Sequence, residues 1–295
     1  MSRGADIALV ALFVALAVPV LKHSPPDDHV VHNDLVYARA GGKDLLLDLH
    51  LPEEFQGRLP VILWVHGGGW RAGNKRSSPP LWMVRHGYAV ASINYRLSQE
   101  AIFPAQIQDC KAAVRWLRAN SSKYQLDPNR IGAWGASAGG HLVALLGTSA
   151  DVAELEAVPA SQVHSSRVQA VVDYFGPTDF LKMSEFPGRI NHDAPDSPES
   201  LLIGGPIQQN KDKAARANPI TWAGAGDAPF LIVHGKEDPL VPVNQSELLA
   251  AALEKAGVPV KLHIVAGAGH GGREFRAPEV RRMVRSFFDQ RLKQQ

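Results

Sequence analysis

Ser137 is the only hydroxyl in a run of small residues, Gly135-Ala136-Ser137-Ala138-Gly139-Gly140. The run joins an apolar stretch, "RIGAWG", to a helical pattern, "HLVALLG". A flexible linker would repeat Gly and Ser, and this run does not. A sharp strand-to-helix turn forces its central residue into strained backbone angles, and flanking glycines remove the clash with the adjoining strand and helix. The hydroxyl then stands exposed at a helix N-terminus, where backbone N–H groups and the dipole favour negative charge. That suits a nucleophile attacking a carbonyl. A hydroxyl is a weak nucleophile and needs a base. His270, in "HIVAGAGHGG", follows the last apolar run among glycines that let it turn inward; of 12 histidines it stands out by position alone. Asp238, in "FLIVHGKEDPLVP", lies past the preceding apolar run and would orient the imidazole.

Two other carboxylates compete for the acid's role. Glu237 is adjacent to Asp238, and Asp179 sits in "FGPTDF" after an earlier apolar run. Asp238 precedes Pro239, which restricts it to an extended conformation. Glu237 would point elsewhere, into solvent. An acyl-transfer intermediate also needs donors aimed at its oxyanion. "HGGGW", His66 to Trp70, ends another apolar run. Gly68 and Gly69 can supply two N–H groups and Ala138 a third. A phosphate cradle is the competing use of such glycines, but the chain has neither G-x-G-x-x-G there nor the Lys-Ser/Thr of a P-loop. His66 reads as a hydrogen-bonder that holds the turn. Trp70, Trp82 and Trp222 are candidates to line a substrate pocket and, equally, candidates for packing.

The elements that must position these residues alternate. "DLVYARA" and "KDLLLDLHLP" read as two strands joined by Gly41-Gly42. "LPVILWV", "HGYAVASINY", "RIGAWG", "VQAVVDYFG", "APFLIVHG" and "VPVKLHIVAG" read as strands buried on both faces. Helical patterns separate them, including "FPAQIQDCKAAVRWLRAN", "NQSELLAAALEKAG" and "APEVRRMVRSFFDQRLKQ". The expectation is an α/β fold: one doubly wound, mostly parallel sheet with helices on both faces. Ligands then bind outside the C-terminal strand ends, where Ser137, Asp238 and His270 all fall. Residues 178–227 break the alternation with Pro187, Pro195, Pro198, Pro206 and Pro219, and little helical periodicity. They read as a small lid-like insertion over that edge.

Composition narrows the class. The 295 residues are 45% hydrophobic and 20% charged, with a formal net charge of +2. Those are ordinary values for a globular protein, and the short, scattered Lys/Arg clusters argue against a nucleic-acid partner. The lone Cys110 excludes an intramolecular disulfide and a cysteine-based zinc site, and reads as a core residue of a helix. "IALVALFVALAVPVL" near the start is too short for the roughly 20 apolar residues of a spanning helix. With Ala15-Leu16-Ala17 it fits a secretory signal. Residues 1–22 are therefore expected to be a signal peptide, or an N-terminal membrane anchor if uncleaved. Residues 23–33 are expected to be a linker and 34–295 the catalytic domain.

The combination "HGGGW", "NYRL", "LDPNRIGAWGASAGGHL", "HGKEDPLVP" and "GAGHG" resembles α/β-hydrolase-fold serine esterases over roughly residues 34–291. It is most similar to bacterial carboxylesterases grouped with bifunctional feruloyl and acetylxylan esterases. Hormone-sensitive-lipase-like esterases share the HGGG element, but they read D-Y-R-L-A-P-E where this chain has "NYRLSQE". The order nucleophile, acid, histidine is that of the fold. The resemblance implies Ser137 as nucleophile, His270 as base, Asp238 as its orienter and Gly68, Gly69 and Ala138 as oxyanion donors. It implies hydrolysis of a small-molecule or polysaccharide-linked ester, with no metal or cofactor required. Short acyl groups are expected, because the insertion lacks the long apolar helix of an interfacial lid. An arylformamidase-type amide hydrolase and a non-catalytic binding module of the same fold are the alternatives.

Overall fold

The computed structural model describes residues 29–156, 164–186 and 188–293. The apolar run, its Ala15-Leu16-Ala17 site and most of the expected linker lie outside the described residues. Strands β1 (His29–Ala40) and β2 (Lys43–Pro52) form an antiparallel hairpin. Its two-residue turn uses Gly41 and Gly42 at φ of 60° and 75°, a region open to glycine. β1 starts at His29, which pairs with Pro52, so the strand takes in the end of the segment expected to be linker. Much of β1 is exposed on the sheet's edge, and no apolar alternation marked its beginning.

Six further strands follow: β3 (Leu59–Val65), β4 (Ala89–Ile93), β5 (Leu126–Ala136), β6 (Ala170–Tyr174), β7 (Phe230–Gly235) and β8 (Val260–Val265). They make one eight-stranded sheet in the order β1-β2-β4-β3-β5-β6-β7-β8, parallel from β4 to β8. β3, β4, β6 and β7 are buried throughout. Their side chains alternate between two cores, as the pleat requires. Val61, Leu63 and Val65 pack with helices α1 (Ala105–Ala119), α2 (Ala138–Thr148) and α5 (Asn244–Lys255). Ile62 and Trp64 pack on the other face with α6 (Pro278–Leu292). Cys110 is buried in the first of these cores.

Two expectations need correction. β8 is half-exposed, because it is the sheet's edge and pairs only with β7. The insertion holds more helix than its periodicity suggests: α3 (Pro198–Ile203), α4 (Lys211–Ala217) and several single turns. Helices of 6 and 7 residues are too short for periodicity to register. Local chemistry marks them instead. Ser197 caps α3 by accepting from Ser200 N at 3.1 Å, and Pro198 takes the first helical position.

Candidate active site

Ser137 stands between β5 and α2 at φ 57° and ψ −123°, outside the region an L-residue normally occupies. Its N–H donates to Tyr174 O at 2.8 Å, tying the turn to β6. A Cβ on Gly135 would lie 2.2 Å from Gly139 O, and one on Gly139 would lie 2.0 Å from Val65 O. Glycine at both positions is therefore what lets α2 start so close to β5 and β3.

From β8, the loop carrying His270 turns inward. His270 Nε2 lies 2.9 Å from Ser137 Oγ, and Nδ1 lies 2.6 Å from Asp238 Oδ2. Asp238, just past β7, is held from several sides. Its Oδ1 accepts from Leu240 N at 2.8 Å and Val241 N at 2.9 Å. Its Oδ2 also lies 3.3 Å from His234 Nε2. Burial pushes the Asp238 carboxyl up, but the hydrogen bonds from His234, His270 and Val241 outweigh it and hold the group well below the usual carboxylate range. Asp238 is thus an anion fixed against the Nδ1 side of His270, which leaves Nε2 to face the serine.

The turn after β3 closes on itself: Gly68 O accepts from the N–H groups of Arg71 and Ala72, each at 3.1 Å. Gly68 has φ 113°, and a Cβ there would meet Ala72 O at 2.3 Å, so only glycine fits. Among the described residues nothing accepts from the N–H groups of Gly68 or Gly69. Ala138 begins α2, where N–H groups have no intrahelical acceptor. A Cβ on Gly67 would lie 2.7 Å from Ala136 O, which fixes how closely this turn meets the elbow. His66 stacks on Tyr95 with ring centroids 4.4 Å apart, and its Nδ1 lies 2.7 Å from Gly67 O. Burial pushes its imidazole down, as suits a neutral ring that holds the turn.

Ser137 and His270 open onto a cavity of about 380 Å³ with apolar walls that include Trp70, Pro177, Ile190, Pro198, Leu240 and Val241. A larger cavity of about 610 Å³ does not contain Ser137 but flanks it, sharing Gly67, Gly68, Ala136 and Phe175. Its surface is aromatic, with Trp64, Trp82, Trp134, Tyr174 and Phe275. Trp70 therefore lines the Ser137 cavity and Trp82 the neighbouring one. Trp222 lines neither. Its Nε1 donates to Arg216 O at 3.0 Å and its partly buried ring packs on the core, on a turn that lies against α2 and α5.

Asp179 lies away from His270. Its Oδ1 accepts from Leu181 N and Asn218 Nδ2, both at 3.2 Å, so it caps a helical turn inside the insertion. Glu237 is exposed. Three residues near the site went unnoticed in the sequence. His234 is a buried polar residue in the apolar strand β7, with Nδ1 2.6 Å from Ser246 Oγ; a histidine inside "FLIVHG" was the available signal. His192 and Glu199 also line the Ser137 cavity, and nothing in the irregular insertion sequence marked them. Among the described residues no cluster of three or more His, Cys, Asp or Glu can hold a metal ion.

Known proteins are similar to this chain in sequence and fold. Esterase LipQ of Mycobacterium tuberculosis is 33% identical over 257 residues, covering 85% of this chain and 59% of that protein. The probable carboxylic ester hydrolase LipM of the same organism is 31% identical over 223 residues, covering 74% of this chain and 51% of that one. The chain thus spans little more than half the length of these relatives. A truncated carbohydrate esterase from gut microbiota superposes with a TM-score of 0.82 at 32% identity, over 91% of this chain and 98% of that one. The acetyl ester-xyloside bifunctional hydrolase of Caldicellulosiruptor lactoaceticus superposes at 0.71 with 28% identity, over 84% and 88% of the two chains. The BD-FAE family model matches residues 47–253, from the strand that leads into the HGGG turn's sheet to the helix past Asp238. With strands β3 to β7 and the serine elbow inside that match, the chain belongs to the BD-FAE family of the α/β-hydrolase fold.

Proposed function

We propose that this protein hydrolyses carboxylic esters through an acyl-enzyme on Ser137. The observation that carries the reading is the unbroken chain Ser137 Oγ, His270, Asp238, at 2.9 and 2.6 Å. His270 takes the Ser137 proton as Oγ attacks the ester carbonyl. The tetrahedral oxyanion draws on the N–H groups of Gly68, Gly69 and Ala138. Asp238 stabilises the imidazolium, which then protonates the departing alcohol, and water repeats the sequence on the acyl-enzyme. The esterase names of the relatives at comparable identity support the same reaction class.

Short acyl groups, acetyl to butyryl, suit the smaller cavity, which Trp70, Ile190 and Pro198 enclose. Sugar-linked esters are the substrate class we favour, in keeping with the carbohydrate esterase among the structural relatives. The apolar run near the start supports export or membrane anchoring of the folded domain. Mass spectrometry of protein recovered from its native host decides between cleavage and retention.

The test is fluorophosphonate labelling together with turnover of p-nitrophenyl acetate. Wild type is expected to react at Ser137, and Ser137→Ala to remain folded while turnover falls on the order of 10⁶-fold. A folded Ser137→Ala variant that keeps a tenth of the activity removes this serine from the mechanism. Turnover of N-formylkynurenine in preference to esters would point to the amide-hydrolase alternative.

A further inference from the structure

The Ser137 cavity contains a second acid–histidine pair. His192 and Glu199 both line it, and their side chains are only 2% and 4% exposed. His192 Nδ1 lies 3.1 Å from Glu199 Oε2, yet the two are not aligned as a hydrogen bond. Among the described residues, His192 Nδ1, His192 Nε2 and Glu199 Oε2 are all enclosed without a hydrogen-bond partner. The surrounding wall is largely apolar, with Ile190, Pro198 and Leu240, and the Trp70 Nε1 in it is itself without a partner among the described residues. Buried polar groups are ordinarily satisfied, and a buried carboxylate without donors is costly to keep. The acid of the Ser137 chain differs: Asp238 has donors on both oxygens.

Resting on the proposed esterase reading, we infer that His192 and Glu199 form a recognition site for a free hydroxyl carried by the ester substrate. A hydroxyl is donor and acceptor at once. It can give its hydrogen to the Glu199 carboxylate and accept from a His192 N–H, which gives each residue a partner in one contact. A carboxylate-bearing substrate would be repelled by Glu199. A cation would lack use for the imidazole donor. Specificity built this way is strong, because a substrate without the hydroxyl leaves the buried pair unpaired.

The hydroxyl can sit on either side of the scissile bond, and near-isosteric ester pairs separate the two cases. For the alcohol side the pair is 2-hydroxyethyl acetate and propyl acetate. For the acyl side it is ethyl glycolate and ethyl propionate. In each pair a hydroxyl replaces a methyl. Wild type is expected to favour the hydroxylated member of one pair by about 10- to 100-fold in kcat/KM, the range for a hydrogen bond to a charged group. In Glu199→Leu and in His192→Phe that preference should collapse towards one, with Glu199→Gln retaining part of it. A purely structural role would instead lower both members in proportion. Circular dichroism confirms folding, and Glu199→Gln serves if the larger changes unfold the chain. No hydroxyl preference in wild type, or one that survives Glu199→Leu, overturns the inference. If wild type hydrolyses none of these esters nor p-nitrophenyl acetate, the esterase reading itself fails and takes this one with it.

Discussion

Two acid–histidine pairs meet one cavity, the first through His270 alone, and are built in opposite ways. Asp238 and His270 sit on short turns directly after β7 and β8, and every polar atom of the acid has a donor. Glu199 and His192 sit in the insertion and are left unaligned, with three polar atoms unsatisfied. The first pair is complete before any substrate arrives, so its orientation needs no reorganisation during a reaction. The second is incomplete and has the chemistry of a site awaiting a ligand. Asp173 extends the contrast. It lies on β6, fully buried, and accepts only from Gly176 N at 2.9 Å, with Oδ2 unpaired. Burial pushes its carboxyl up to about 6, whereas the several donors around Asp238 push that group down. Between these two acids, the one with more donors is the one held lower.

The largest expected effect breaks the saturated pair. Asp238→Asn should cut kcat by roughly 10⁴-fold by favouring the wrong imidazole tautomer, with kcat on p-nitrophenyl acetate as the readout. Asp179→Asn and Glu237→Gln are the controls. If a folded Asp179→Asn proved the more crippled, the acid would have to move to the earlier strand.

Stability should separate the pairs in sign. Asp238→Ala strands buried partners and should lower the unfolding free energy by about 3 kcal/mol. The double change His192→Phe with Glu199→Leu replaces an unsatisfied buried polar pair by apolar groups. It should be neutral or stabilising by up to about 4 kcal/mol. Urea midpoints for both variants test this, and a strongly destabilised double variant would mean that the insertion's pair holds the fold.

Asp173 offers a third reading through pH. Its folded-state value of about 6 lies above the ordinary 3.8, so its contribution to stability is greatest below pH 3.8 and is lost as pH rises through 6. Asp173→Asn cannot titrate. Its stability relative to wild type should therefore be higher at pH 8 than at pH 3.5 by about 3 kcal/mol. The comparison uses the change with pH alone, so any packing cost of the amide cancels. An equal offset at both pH values would show that the wild-type carboxyl is not strained by burial.

The smallest effect is at Glu237, the exposed neighbour of Asp238. Glu237→Gln should change kcat less than about tenfold, since an exposed charge is screened by solvent. A larger loss would mean that the two adjacent carboxylates act together.

What the sequence determined by itself was local. Glycines at 135 and 139 around Ser137, and three after His66, announce tight turns, and at Gly67, Gly68, Gly135 and Gly139 a Cβ would come within 2.0 to 2.7 Å of backbone oxygens. Continuous apolar runs announced the strands, so the sheet and its C-terminal edge were legible, and with them the neighbourhood of Ser137, Asp238 and His270. β8 was legible as a strand but not as an edge, because exposure depends on which neighbours a strand acquires. Only the tertiary structure decided that His234 braces Asp238 across one turn and that Trp222 faces the core and not the substrate. It alone brought His192 and Glu199 to the same cavity as Ser137. The placement of Trp222, His192 and Glu199 comes from how the insertion folds back over the strand ends. Its helices are too short to carry a periodic signal, and its path is set by contacts with residues far away in the chain.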